Sequence, residues 1–136
     1  MENIQNKKLK LKSGYYIPVL GLGTWDLTGE ACEKIVKKAL DLGYRHIDTA
    51  ELYQNEVEIG RAIKGFEREE LFITSKVVPE KLRKYQLMDA CEDSLSRLDT
   101  EYLDLYLIHW PNDDIPLSET FEAMARLVEM EKVRSV

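Results

Sequence analysis

The sequence has 136 residues, of which 44% are hydrophobic and 32% are charged, and its formal net charge at pH 7 is -6. A chain of this length and mixed composition can bury a core and is not typical of disordered proteins. Its acidic balance lacks the basic surface that nucleic acids and anionic membranes attract, so we expect neither as a partner.

Targeting and redox features are equally sparse. Residues 1–12 carry lysines with no apolar run behind them, and no apolar stretch reaches the roughly 18 residues of a membrane span, so we expect a cytoplasmic protein. Cys32 and Cys91 fall in predicted helices without a CxxC spacing. The sequence therefore predicts two reduced, mostly buried thiols, no disulfide and no metal site.

The first predicted elements are a hairpin, a strand and a helix. Leucines alternate with lysines over residues 9–12, and Ser13-Gly14 then turns the chain into Tyr15-Tyr16-Ile17, which predicts a β-hairpin over about residues 9–17. Residues 19–23 are predicted as a buried strand. A helix follows over residues 28–43 and ends at Gly43. Its predicted apolar face consists of Ala31, Ile35, Val36, Ala39 and Leu40.

The middle of the chain repeats the strand–helix alternation. A strand is predicted over residues 45–49, and a helix begins at Asn55, whose side chain is expected to form a capping box with Glu58. Gly65 lies near the end of that helix. Residues 71–77 are again apolar and are predicted to form a strand.

The last part of the chain follows the same order. A helix is predicted over residues 84–98, a nearly continuous strand over 102–110, and an amphipathic helix after it. Residues 132–136 are predicted to begin a further strand. Met130-Glu131-Lys132 follow the preceding helix without a glycine. Either a non-glycine residue adopts the left-handed conformation there, at a cost of about 1 kcal/mol, or the helix ends differently. The apolar faces of the two helices are Leu87, Met88, Cys91, Leu95 and Leu98, and Phe121, Met124, Ala125 and Val128.

Strands that alternate with helices and are apolar on both faces predict an α/β fold with a parallel sheet covered by helices. An open doubly wound sheet would need a glycine-rich phosphate loop after the first strand. Gly21 and Gly23 begin such a motif, but Trp25 follows and the third glycine of G-x-G-x-x-G is missing. The sequence therefore favours a TIM (β/α)8-barrel type of fold, with residues 1–136 as a single, incomplete barrel domain.

Ionisable residues recur at the same end of three successive predicted strands. Asp48, Lys76 and His109 lie near the carboxyl ends of the second, third and fourth strands, where barrel enzymes place their active sites. Tyr53 follows in the next loop and can lean back over the strand ends. The strand period of two then predicts which residues face inward and which face the helices. The inward set is His46, Phe72, Thr74, Leu105 and Leu107, and the helix-facing set is Ile47, Ile73 and Ile108.

Four motifs occur in order: GLGTW, YRHIDTAELYQNE, ITSKV and DLYLIHWP. Together they resemble the aldo-keto reductases over about residues 9–136, which corresponds to the N-terminal half of that family's barrel. The resemblance implies reduction of aldehydes or ketones with NADPH, or possible use of NADH. It implies Tyr53 as proton donor, Lys76 as the cation beside it, Asp48 as the partner of Lys76, and His109 as the residue that orients the carbonyl oxygen.

The resemblance also assigns ligand contacts. It implies that Gly23, Thr24, Trp25 and Asp48 lie beside the nicotinamide and its ribose, and that Trp25, His109 and Trp110 line the substrate pocket. Strands carrying the phosphate-binding residues would follow residue 136. A chain of four strand–helix units is therefore expected to self-associate and to hold NADPH poorly by itself.

Elementary chemistry supports these roles. A free phenol has a pKa of about 10 and gives up its proton poorly at neutral pH, so a tyrosine acid needs a cation beside its oxygen. Lys76 is the available cation, and an inward-facing lysine needs a carboxylate such as Asp48 to stay charged.

Other interpretations remain open. Asp48 and Lys76 can form a structural ion pair, and His46 is interpreted as a core histidine. An inward lysine such as Lys76 can also form a Schiff base, as in aldolase-type lyases. The chain can further be a non-catalytic half-barrel that serves as an interaction module.

Overall fold

The computed structural model describes residues 4–136. After an N-terminal hairpin, strands and helices alternate along the chain as the sequence predicts. In chain order the elements are β1 (Lys8–Lys10), β2 (Tyr16–Pro18), β3 (Gly21–Gly23), α1 (Gly29–Asp41), β4 (His46–Asp48), α2 (Glu56–Ile63), β5 (Phe72–Val77), α3 (Lys84–Leu98), β6 (Leu105–Ile108) and α4 (Leu117–Glu129).

The four strands after the hairpin form one parallel sheet in the order β3-β4-β5-β6. Each strand pairs with the next along the chain, which is the arrangement of a barrel wall. Leu103 pairs in parallel with Val133 ahead of β6, and the backbone N–H of Arg134 donates to the Leu103 carbonyl oxygen at 2.9 Å. Residues 132–136 therefore lie beside β6 in the parallel direction, as predicted for a further strand, but they form a single bridge there rather than a strand.

The two faces of the sheet agree with the predicted alternation. Ile47 pairs with Ile73, and both are fully buried in the core that the sheet forms with the helices. Ile108 packs against the same core. On the other face, Thr74 pairs with Leu105 and Lys76 with Leu107, so the predicted inward residues lie side by side.

The buried stripes of α1 and α4 differ from the predicted ones. In α1 the buried residues are Cys32, Val36, Ala39 and Leu40, whereas Ala31 and Ile35 are exposed. In α4 they are Thr120, Ala123, Met124 and Leu127, whereas Phe121, Ala125 and Val128 are exposed. Met124 alone was predicted correctly in α4. In α1 the predictions for Val36, Ala39 and Leu40 are confirmed and only the two ends of the face are wrong. In α4 the buried stripe is rotated by about one residue, because the sheet's position decides which of two adjacent rows is covered.

Residues 19–23 were predicted to form a buried strand, and the predicted burial is wrong. β3 spans only Gly21–Gly23 at the edge of the sheet, and Val19 is exposed. A side chain at Gly21 would not fit, because its Cβ would lie 2.6 Å from Nδ1 of His46. Glycine at this position thus allows the His46 ring to lie against β3.

The hairpin lies at the amino ends of the strands, opposite the predicted site. The ring of Tyr102 lies between two guanidinium groups, with Cζ of Arg68 at 4.0 Å and Cζ of Arg134 at 3.8 Å from its centroid. Tyr15 of the hairpin contacts Arg134 in the same way at 5.1 Å. Asp104, which is buried, accepts a hydrogen bond from Arg68 at 2.7 Å. The contact between Tyr15 and Arg134 thus joins the hairpin to the cluster at the amino ends of the strands.

The remaining expectations concern helix ends, cysteines and membrane spans. Gly43, directly after the C-cap Leu42 of α1, has φ 100°. Glu131 has φ 59°, so of the two helix ends left open by the sequence the non-glycine residue in the left-handed region is the one present. Cys32 and Cys91 are free and buried, and burial raises the pKa of Cys32 to about 11 and of Cys91 to about 12. Within residues 4–136, none of the helices combines the length and the apolar character that crossing a bilayer requires.

Candidate active site

Parallel strand order brings the predicted site residues to one edge of the sheet. Asp48 is the last residue of β4, Lys76 is next to last in β5, and His109 directly follows β6. In the register, Asp48 pairs with Gly23 on one side and Thr74 on the other, and Lys76 pairs with Leu107. Because parallel strands run in the same direction, their carboxyl ends meet there.

Lys76 is the centre of the cluster. Its Nζ donates to Oδ1 of Asp48 at 2.6 Å, to the carbonyl oxygen of Thr49 at 2.8 Å, and to the Tyr53 hydroxyl at 3.4 Å. The Lys76 side chain is only 13% exposed. An ammonium group has three donors, so these three acceptors use its whole hydrogen-bonding capacity and offset the cost of burying its charge.

Tyr53 reaches the cluster from the loop after β4. It ends a short 3-10 turn, Glu51–Tyr53, and the next residue, Gln54, has φ 54° and reverses the chain. Its ring meets the ring of Trp25 edge-on at 5.1 Å and that of His109 at 5.6 Å between centroids. Nζ of Lys76 lies 5.0 Å from the same ring centroid. The phenol is therefore held on several sides, with its oxygen directed at Lys76.

His109 is held in its neutral form. Burial lowers the pKa of His109, and the nearby Lys76 ammonium lowers it further, while Asp48 opposes both effects. Its Nδ1 is buried without a hydrogen-bond partner among the described residues. The ring also packs against Trp110, with centroids 4.6 Å apart. A neutral imidazole keeps one N–H to donate, and which nitrogen carries it is set by the tautomer.

The residues predicted to lie beside a cofactor fall into two groups. Trp25 is 65% exposed, and a Cβ placed on Gly23 would meet no atom within 4 Å, so the end of β3 offers an open aromatic surface. Thr24 is instead fully buried, and its hydroxyl donates to the Asp48 carbonyl oxygen at 2.9 Å. The Thr24 side chain thus fixes the β3 loop to β4.

The predicted capping box at the start of α2 is wrong. Asn55 occupies the N-cap position but makes no side-chain cap hydrogen bond. Its amide is fully buried and bonds instead to the loop after β3 and to Thr49. Sequence reasoning missed this role, because an asparagine before a helix gives the same local signal whether its side chain turns to the helix or away from it.

His46 is placed as the sequence interpretation expects of a core histidine. Its Nε2 is 3.0 Å from Oγ1 of Thr74, and its ring meets that of Phe72 edge-on at 5.0 Å. Burial lowers the pKa of His46. The Asp48 and Asp104 carboxylates oppose burial more weakly, and Lys76 has the smallest effect and lowers the pKa further. Nε2 of His46 is therefore engaged with a side chain of the neighbouring strand β5.

Comparison with known proteins places this geometry in context. A family model described as the aldo/keto reductase family matches residues 19–136. An aldo-keto reductase of Mycolicibacterium smegmatis is 42% identical over 132 residues, covering 95% of this chain and 48% of the relative. Methylglyoxal reductase DkgB of Escherichia coli O157:H7 is 46% identical over 112 residues, covering 79% of this chain and 42% of the relative.

Solved structures give the same result. The crystal structure of a Bombyx mori aldo-keto reductase in complex with NADP has a TM-score of 0.86 and 34% identity, and the match covers 94% of this chain and 48% of that one. The chain thus spans about half the length of the relatives it matches.

Proposed function

The chain belongs to the aldo/keto reductase family, and we propose that it carries the carbonyl-reducing site of an NADPH-dependent oxidoreductase. The substrates are aldehydes or ketones, which are reduced to alcohols. The observation that carries the proposal is the position of the Lys76 ammonium, 2.6 Å from the Asp48 carboxylate and 3.4 Å from the Tyr53 hydroxyl. The same atom thus meets a carboxylate that keeps it charged and a phenol that it can activate.

Tyr53 is the proton donor in this proposal. As the substrate carbonyl oxygen gains negative charge, it takes the phenol proton, and the resulting phenolate is stabilised by the adjacent ammonium of Lys76. Asp48 offsets the cost of keeping that ammonium in a site with little exposure to water. Proton donation therefore depends on all three side chains.

His109 orients the substrate. Its lowered pKa keeps the imidazole neutral at neutral pH, so it can donate one hydrogen bond to the carbonyl oxygen beside Tyr53. Two donors directed at the oxygen that becomes negative would stabilise the transition state. Trp110 packs on His109 and is exposed, which supports a role for Trp110 in the wall of the substrate pocket.

The described residues fit the nicotinamide end of a dinucleotide. The exposed ring of Trp25 and the open space at Gly23 offer a surface for a flat ring next to Tyr53, and the Asp48 carboxylate can accept a hydrogen bond from a ribose hydroxyl. When bound, the nicotinamide supplies the hydride, which no side chain can provide. Thr24 contributes through the loop that it holds rather than by direct contact.

A lyase mechanism with Lys76 as Schiff-base nucleophile is a weaker proposal. An amine must be unprotonated to attack a carbonyl. The three acceptors on Nζ of Lys76, one of them the Asp48 carboxylate, favour the protonated amine. The geometry therefore favours an electrostatic role for this lysine.

We also propose that residues 1–136 form one incomplete barrel domain that associates through its uncovered faces. The sheet contains four parallel strands, whereas a closed barrel of this type needs eight. Exposed apolar side chains lie on α4 at Leu117 and Phe121 and on α1 at Ile35. Exposed apolar surfaces of this kind favour association with another protein surface.

A steady-state assay of the full-length protein tests the proposed function. Purified protein is mixed with a panel of small aldehydes and ketones, including methylglyoxal, and oxidation of NADPH is followed by absorbance, with NADH in parallel. Saturable, substrate-dependent oxidation supports the proposal. Absence of reduction across the panel by a folded protein that binds NADPH would refute it.

A further inference from the structure

Asn55 is a fully buried asparagine at the junction of three loops. Its Nδ2 donates to the carbonyl oxygens of Thr24 at 2.9 Å and Leu27 at 3.0 Å, and its Oδ1 accepts from Oγ1 of Thr49 at 2.6 Å. Both amide donors and the amide oxygen are thus engaged with other loops. A buried amide satisfied in this way holds its partners firmly, because each lost bond would leave a polar group unpaired.

Two of these bonds hold the loop that carries Trp25. The carbonyl acceptors, on Thr24 and Leu27, flank Trp25 in sequence, so one amide group pins the loop at both ends. The ring of Trp25 packs edge-on against Tyr53 at 5.1 Å. Asn55 therefore sets one side of the phenol's surroundings without touching the phenol.

The third bond reaches toward Lys76. Thr49, whose hydroxyl donates to Asn55, accepts a hydrogen bond from Nζ of Lys76 on its own carbonyl oxygen at 2.8 Å. Asn55 also lies two residues after Tyr53, across the turn at Gln54. One buried side chain thus connects the backbone segments that carry the phenol, its cation and its aromatic neighbour.

Helix capping does not explain this residue. α2 begins at Glu56, directly after Asn55, yet Asn55 gives no side-chain hydrogen bond to the helix. Only its backbone carbonyl takes part, accepting from the Ile59 N–H at 3.0 Å. The side chain is committed to the loops at the site.

We propose that Asn55 is a positioning residue that sets the placement of the Tyr53 hydroxyl relative to Lys76 and Trp25. The inference rests on the proposed function for its effect on turnover, but not for its effect on Tyr53 itself. Asn55 acts through Thr49, Thr24 and Leu27 and contacts neither substrate nor cofactor. Displacement of a reacting group by about 1 Å can cost on the order of 10²-fold in rate.

The test uses the full-length protein with the variants Asn55→Ala and Thr49→Val. The second is isosteric and removes only the hydroxyl that binds Asn55. The matched control is Asp104→Asn, an isosteric change that also disrupts buried hydrogen bonds, those from Arg68 and from the Ile73 N–H. Asp104 directly precedes β6 and His109 directly follows it, so the two residues lie about 16 Å apart along the strand.

Two kinds of measurement are made. The first is kcat with a carbonyl substrate together with the dissociation constant of NADPH. The second is the titration midpoint of the Tyr53 phenol, followed by NMR on protein with 13C-labelled tyrosine and assigned with Tyr53→Phe. Loss of stability alone lowers the melting temperature but leaves the phenol's surroundings unchanged, so the midpoint separates positioning from a merely structural role.

We expect kcat to fall by about tenfold or more in Asn55→Ala and by less in Thr49→Val. The titration midpoint of Tyr53 should move by about half a pH unit or more in Asn55→Ala. Asp104→Asn should leave both unchanged even if it melts earlier. An unmoved midpoint in both variants overturns the inference, and so does an equal shift in the control. If Asn55→Ala does not fold, Thr49→Val decides alone.

The titration midpoint of Tyr53 can be measured without substrate and without cofactor. The inference and the proposed function can therefore fail separately: turnover that survives Tyr53→Phe refutes the reductase mechanism, whereas an unmoved Tyr53 midpoint refutes only the role of Asn55.

Discussion

The Tyr53 hydroxyl lies 3.4 Å from Nζ of Lys76, although the two residues come from different strand–loop units separated by α2. That ammonium is bound at shorter range by Asp48 and by the Thr49 carbonyl oxygen. The phenol is therefore the weakest of three acceptors on one cation. This arrangement suits an acid that must exchange its proton with a ligand.

Replacement of the phenol tests this arrangement directly. In the full-length protein, Tyr53→Phe should lower kcat for carbonyl reduction by about 10²-fold or more, because the general acid is lost. NADPH affinity, measured by fluorescence titration, should hardly change. Tyr16→Phe is the matched control, since Tyr16 lies exposed in the hairpin at the opposite end of the sheet. Near wild-type turnover of Tyr53→Phe would contradict the assignment.

Chemical trapping distinguishes the reductase from the lyase. Treatment of the protein with a carbonyl substrate and borohydride should leave Lys76 unmodified, because its Nζ is engaged in a hydrogen bond to the Asp48 carboxylate at 2.6 Å. Peptide mass spectrometry reads the outcome. A reduced adduct on Lys76 would favour the Schiff-base mechanism over hydride transfer.

Histidine burial predicts how stability depends on pH. Burial lowers the pKa of His46 below its ordinary value of 6.5, so the unfolded chain binds a proton more readily than the folded one. The stability that this histidine contributes is present above the ordinary value and is lost as pH falls through the lowered pKa. We expect the free energy of unfolding, measured by denaturant titration, to decrease over that range.

The variant His46→Gln provides the control for that measurement. It removes the titrating group, and its amide can still bond to Thr74, the partner of His46. The decrease in stability with falling pH should be shallower in this variant. Identical pH dependence in the two proteins would mean that other groups account for the effect, His109 among them, since its pKa is lowered for the same main reason.

The uncovered faces predict self-association of a polypeptide made of residues 1–136. We expect it to sediment as dimers or larger species and to give no saturable NADPH fluorescence change at micromolar concentrations. Leu117 and Phe121 are exposed on α4, and Leu105 and Leu107 are only half-buried on the inward face. Phe72, expected on that open face, is in fact buried beside His46.

Charged substitutions on the two uncovered faces test which face takes part in self-association. Phe121→Glu should reduce association if the outer face of α4 takes part, whereas Leu105→Glu tests the inward face. Analytical ultracentrifugation of the two variants beside the unaltered polypeptide would identify the contact. A monomer that binds NADPH tightly would contradict both the association and the expected weak hold on the cofactor.

Periodic segments were predictable from the sequence. α3 spans Lys84–Leu98, the predicted bounds, because its apolar residues recur with the helical period and the repeat is long. The strand predicted over 102–110 was too long, since only Leu105–Ile108 pairs as a strand. Strand ends depend on which neighbours are available for hydrogen bonds, and this is not written in the local pattern.

Polar burial was the least predictable property. The sequence identifies Asn55 as a residue suited to a helix start, and it does stand there, but its side chain faces the opposite way. Nothing in the neighbouring residues distinguishes the two orientations. The loops that bind the amide, at Thr24 and Thr49, are distant in sequence or lie across a turn.

The sequence by itself determined the α/β order and the ends of the strands at which Asp48, Lys76 and His109 stand. Helix and strand periods are local patterns, and a helix between two neighbouring strands lets them run in the same direction. Only the tertiary structure decided that Lys76 binds Asp48 and Tyr53 at once, that Nδ1 of His109 is left without a partner among the described residues, and that Asn55 joins the loops around them. Those outcomes depend on side-chain directions and distances between elements, which packing settles and periodicity does not.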